Sequence, residues 1–168
     1  MTTAIANNNS TRKTSIWIGV VVICSAALLV SLLGPVWIHH PAQSAPKRPE
    51  VWLTFSDLGA VAAKSSSPVQ VVYFSWLAWV LVLTTIAFGA LSQLLVGWRL
   101  VLLFELLASL VALCTTIVAV KGPLSWSIFL GQFSNLRPGG YLIVAGLLGF
   151  VAQSSLQFAA AKRKRISS

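Results

Sequence analysis

Apolar residues run along this chain in four long blocks separated by polar stretches. The blocks cover residues 16–38, 71–95, 100–120 and 140–160. Each is near or above the roughly 20 residues that carry a helix across a bilayer. The blocks are apolar on all sides, whereas strands of a membrane barrel alternate apolar and polar positions. Helix is also the form that pairs every backbone group within the segment, as lipid requires. The pattern therefore predicts an all-α fold, an integral membrane bundle of four transmembrane helices filling residues 16–161.

The polar stretches complete the plan. Residues 1–15 form a short polar tail, expected to be disordered, and residues 162–168 a basic one. Two longer loops, 39–69 and 121–139, fall on the same side of the bundle. Gly97-Trp98-Arg99 leaves room only for a tight antiparallel turn between the second and third spans. In the first loop, HHPAQSAPKRPE is rich in proline and so predicts extended chain. VWLTFSDLGAVAAK follows, with Ser56 as the cap of a helix from Asp57 to Lys64 and Asp57 suited to the helix dipole. In the second loop, Trp126, Phe129, Leu130, Phe133 and Leu136 recur at helical spacing. They predict a short amphipathic helix on the membrane interface. Trp126, Phe129, Leu130 and Phe133 are its candidate docking residues.

Composition agrees with this plan. The chain is 57% hydrophobic and 9% charged, against about 25% charged for a soluble domain. The net charge of +9 reflects scarce acids and basic flanks on the spans. No basic stripe with interleaved aromatics is present, so nucleic acid is not an expected partner. Lys and Arg near the span ends set orientation. With the N-terminus inside, Arg12, Lys13, Arg99, Lys162, Arg163, Lys164 and Arg165 are cytoplasmic. Lys47, Arg48, Lys64, Lys121 and Arg137 are then outside. The inner residues crowd the span ends, which favours both termini in the cytoplasm. The start of the chain resembles a signal peptide in outline, with Arg12-Lys13, an apolar stretch and Ala42-Gln43-Ser44. The stretch is too long for that role, and a retained first span is expected.

Candidate chemistry is sparse. Cys24 and Cys114 form no CxxC and lie at different depths, about 12 and 21 Å from the inner starts of their spans. A disulfide needs Cα atoms within about 7 Å. His39-His40 has no third ligand at regular spacing, so no metal site is expected. No cofactor motif appears, and the chain is expected not to be an enzyme. The acidic residues are three, Glu50, Asp57 and Glu105, and Glu105 lies inside an apolar span. An acid there is a functional candidate by default.

A helical wheel at about 100° per residue groups Glu105, Ala108, Ser109, Ala112 and Thr116 on one face. Small residues let neighbouring helices approach within lipid, so this face should look inward. The same reasoning selects Ala78, Thr85, Gly89 and Ser92 on the second span. It selects Ala145, Gly146, Gly149, Ala152 and Gln153 on the fourth, and Ala27, Ser31 and Gly34 on the first. Gly89, Ala108, Ser109, Ala112, Ala145 and Gly149 are the candidate packing positions. By depth, Gln93, Glu105, Gln153 and Gln157 share the inner third of the bilayer and form a candidate polar cluster, with Ser92 and Ser109 nearby. Its expected role is a hydrogen-bonded latch between helices.

The layout resembles small four-span bacterial inner-membrane proteins. The loop-one cysteines and Gly-Leu-Trp signature of claudin-type tetraspan proteins are absent. The expected function is that of a non-catalytic accessory, assembly or scaffold subunit of a bacterial envelope complex. Its partners would be the lipid bilayer and another membrane protein or further copies of itself. The alternative is a small transporter or channel component built on the Glu105 cluster.

Overall fold

Helix α1 runs Thr2–Leu33 and stops at Gly34-Pro35, where proline cannot continue the hydrogen-bond ladder. The computed structural model describes residues 2–44, 47–64, 67–95, 98–131 and 133–166, with side chains described outside 2–14, 43–48, 133 and 161–166. Two expectations change at this helix. The polar tail before residue 16 is its first part, and the membrane-length segment is Ser15–Leu33, ending short of residue 38. Trp37 turns back instead, and its Nε1 donates to the Ser31 carbonyl at 2.6 Å. That bond satisfies one of the carbonyls left open at a helix end.

Next comes a small β ribbon. Strands β1 (Ile38–His40), β2 (Gln43–Ser44), β3 (Lys47–Arg48) and β4 (Val51–Leu53) form two antiparallel pairs. The register sets Ile38 opposite Leu53, His39 opposite Trp52 and His40 opposite Val51. The purely helical expectation missed this ribbon because its strands are two or three residues long and carry no alternation.

Helix α2 (Phe55–Ala62) is capped by Thr54 in a reciprocal capping box with Asp57. The expected cap at Ser56 is therefore corrected by two residues. Thr54 has the extended backbone of an N-cap, and Ser56 is already inside the helix.

The second span comprises α3 (Pro68–Val72), a π turn (Tyr73–Leu77) and α4 (Ala78–Leu94). The wider π turn lets two consecutive residues face inward, so Tyr73 and Phe74 are both buried. Helix α5 (Arg99–Lys121) ends at Gly122, whose φ of 54° suits glycine. Of the tight turn before α5, Gly97 lies outside the described residues.

The expected single helix of the second loop is instead α6 (Trp126–Gly131) and a 3-10 turn (Phe133–Asn135). Leu136 leaves it altogether and bridges to Ile38. Gly139 N–H and Arg137 N–H donate to the Val36 and Trp37 carbonyls, both at 2.9 Å. Helix α7 (Pro138–Ile166) completes the chain.

Four helices are long and apolar enough to cross a membrane. In the bundle α1 packs on α7, α7 on α5, α5 on α4 and α4 on α1. Leu28, Val82, Ala112, Ile143, Leu147 and Phe150 fill its centre. Close approach uses glycine, with Gly89 of α4 against the Phe150 ring and Gly146 and Gly149 of α7 against Leu28 and Cys24. Ser109 and Ala112 are buried and Ala108 is half-buried. Three packing expectations fail. Ala145 and Ala152 are exposed, because Ile143, Leu147 and Phe150 carry the inward face of α7 and these alanines lie nearly opposite. Gly34 likewise meets open space.

Candidate functional site

Glu105 projects from α5 into the bundle and is completely buried. Gln153 of α7 and Ser92 of α4 face its carboxyl and are 1% and 3% exposed. Neither makes a hydrogen bond of ordinary geometry to it, and both carboxyl oxygens lack a partner. Both polar atoms of the Gln153 amide lack one too, as does Nε2 of Gln157, one turn along α7.

Nearby hydroxyls are spent on their own helices. Ser109 Oγ donates to the Glu105 carbonyl at 2.9 Å, and Ser154 Oγ to the Phe150 carbonyl at 2.7 Å. Ser92 Oγ donates to the Gly89 carbonyl at 2.8 Å.

The structure thus brings Glu105 and Gln153 together but does not join Gln93 to Glu105. Gln93 is half-buried, and its Nε2 donates to Ser92 Oγ at 3.1 Å. The residue of α4 that meets the acid is Ser92. Matching depth placed Gln93 correctly along the axis, but its direction around the helix differs from that of Ser92 by about 100°.

Unpaired polar atoms in a low-dielectric interior are costly. The arrangement holds a proton-binding oxygen pair and an amide close together, enclosed on all sides by this chain. A helix lying against the outside of the bundle does not touch Glu105.

A second polar group, which no spacing in the sequence announces, stands at the loop end. Arg137 Nη2 donates to His39 Nδ1 at 2.7 Å. A guanidinium has only donors, so Nδ1 is the acceptor and the ring proton lies on Nε2. Nε2 donates to Glu50 Oε1 at 2.8 Å. The imidazole stacks on Trp52 with centroids 3.9 Å apart, and the Arg137 guanidinium lies 5.5 Å from that ring centroid. Arg137 is 98 residues from His39, too far for any local pattern to connect them. His40 is exposed. Both cysteines are free, Cys24 buried and Cys114 exposed.

The docking candidates divide. Phe129 is buried, whereas Trp126 and Leu130 are 55% and 61% exposed. The side chain of Phe133 lies outside the described residues.

No family model, curated relative or solved structure matches the chain.

Proposed function

We propose that the chain is a non-catalytic multi-pass membrane protein, an accessory, assembly or scaffold subunit of a bacterial envelope complex. In this reading it lies in the inner membrane with both termini in the cytoplasm and the β ribbon, α2 and α6 outside. The observation that carries the reading is the apolar surface of α6. Trp126, Ile128 and Leu130 are each more than half exposed, while Phe129 alone anchors the helix. Trp52 and Val51 of the ribbon add further exposed apolar area. Aromatic anchors of this kind dominate protein interfaces. The test is co-purification in mild detergent. A stoichiometric membrane partner, lost in a Trp126→Ser/Leu130→Ser variant, is the expected result. A lone chain with wild-type behaviour in that variant overturns the reading.

One observation favours a second reading, a small transporter or channel component. Glu105 is a fully buried acid inside a span, faced by Ser92 and Gln153, and intramembrane acids mark ion and proton pathways. Reconstituted protein that moves protons or solute, with flux lost in Glu105→Gln, would establish it. No flux above that of empty vesicles sets it aside.

A further inference from the structure

Two cavities of about 250 and 270 Å³ lie side by side at the loop end of the bundle. The larger is walled by Thr116, Ile117 and Val120 of α5, Ile143 and Val144 of α7, and α6 above them. Its lining is almost wholly apolar. Thr116 contributes no free hydroxyl, since its Oγ1 is bonded to Tyr73 and to the Ala112 carbonyl. The other cavity shares Ile38, Val120, Phe129 and Leu136 with the first and is also mostly apolar, with His40, Gln70, Lys121 and Asn135 among its lining residues. Each alone is slightly below the roughly 300–1,000 Å³ of ligand clefts, and the pair together falls inside that range.

Charge and position select the occupant. Lys121 lines the smaller cavity, and its Nζ sits 5.1 Å from the ring centroid of Trp126, a wall of the larger one. A single cation therefore stands where the chambers meet. Trp126 and Tyr141 flank this level and are both more than half exposed, as aromatic residues at a membrane boundary are. A ligand suited to this place has a long apolar chain, an anionic head, and access from the membrane.

We propose that the paired cavities bind one anionic phospholipid, an acyl chain between α5, α6 and α7 and the phosphate beside Lys121. The site does not depend on the subunit reading, since it lies within one chain. It would be tested on full-length protein washed in mild detergent to remove loosely held lipid. Native mass spectrometry would then follow titration with phosphatidylglycerol or phosphatidylcholine. One phosphatidylglycerol per chain is the expected result, bound in preference to phosphatidylcholine.

Val144→Trp, which fills the apolar chamber from α7, abolishes that binding. Ile117→Phe does the same from α5, so the test survives if one variant fails to fold. Lys121→Gln keeps chain binding but lowers the preference for phosphatidylglycerol about fivefold, equivalent to about 1 kcal/mol. Wild-type binding in folded Val144→Trp and Ile117→Phe overturns the proposal, as does equal binding of the two lipids by the wild type.

Discussion

The phenolic oxygen of Tyr73 and the hydroxyl of Thr116 stand 2.8 Å apart, both buried, joining the π turn of the second span to α5. Thr116 has one proton, and it goes to the Ala112 carbonyl at 2.7 Å. Tyr73 is therefore the donor. The two obvious substitutions are then unequal. Tyr73→Phe loses a single bond and leaves Thr116 satisfied by Ala112, a loss of about 0.5–1.5 kcal/mol. Thr116→Val orphans the phenol in the interior and costs about 1–3 kcal/mol. Thermal melts followed by helical circular dichroism would separate them, and the double variant should be no worse than Thr116→Val alone.

Gly89 carries the diagonal contact of the bundle. A methyl group there would run into the edge of the Phe150 ring, and Phe150 is fully buried, so the ring has nowhere to swing. Gly89→Ala is expected to destabilise by about 1–3 kcal/mol, as overpacking does. Phe150→Leu in the same chain should recover part of that loss. Additive losses in the double variant would show that the two residues do not share the space.

Glu105 offers a direct contrast between a latch and an idle acid. If the acid is idle, Glu105→Leu leaves stability unchanged or raises it by about 1–3 kcal/mol. A latch predicts the reverse, with Glu105→Leu unfolding and Glu105→Gln tolerated. The melting temperatures of the two variants in one detergent decide between them.

The cap of α2 should respond to acid. The Thr54 hydroxyl donates to Asp57 Oδ2 at 2.6 Å and the Thr54 N–H at 2.9 Å. These bonds hold the Asp57 carboxyl below the usual carboxylate range. A carboxyl with a depressed value in the folded state contributes stability above its unfolded value of about 3.9. That contribution disappears as pH falls through the depressed folded value. Amide protection factors over residues 55–62, taken relative to the intrinsic exchange rate at each pH, should therefore fall on going from neutral pH into strong acid. Asp57→Ala should show fast exchange already at neutral pH.

His39 is replaceable by a side chain with the same acceptor and donor. His39→Gln would place an amide oxygen toward Arg137 and an amide N–H toward Glu50, so this variant should keep the loops joined. His39→Ala should cost about 1 kcal/mol or more and speed amide exchange in both the β ribbon and residues 134–137. Unchanged exchange in His39→Ala would show that this link does not hold the loops together.

Four helices long and apolar enough to cross a membrane were legible from the residues alone. Their length, apolar content and lack of alternation leave helix as the one form that satisfies the backbone in lipid. The inward face of α5 that carries Glu105 was legible too, because small residues mark the sides on which helices approach, and Ser109, Ala112 and Thr116 are buried beside it.

Whatever depends on direction around a helix, or on contact across loops, was fixed only when the helices packed. Gln93 turns away from the acid that Ser92 meets, because a one-residue step turns a side chain by about 100°; the wheel sets Ser92 inward, and matching depth alone adds Gln93. Ala145 faces outward because the bulk of Ile143, Leu147 and Phe150 outweighs its smallness in orienting α7. The π turn that buries Tyr73 beside Phe74 breaks the helical period on which any wheel relies. Arg137 reaches His39 only once the two loops lie together, since no local spacing specifies a pair 98 residues apart.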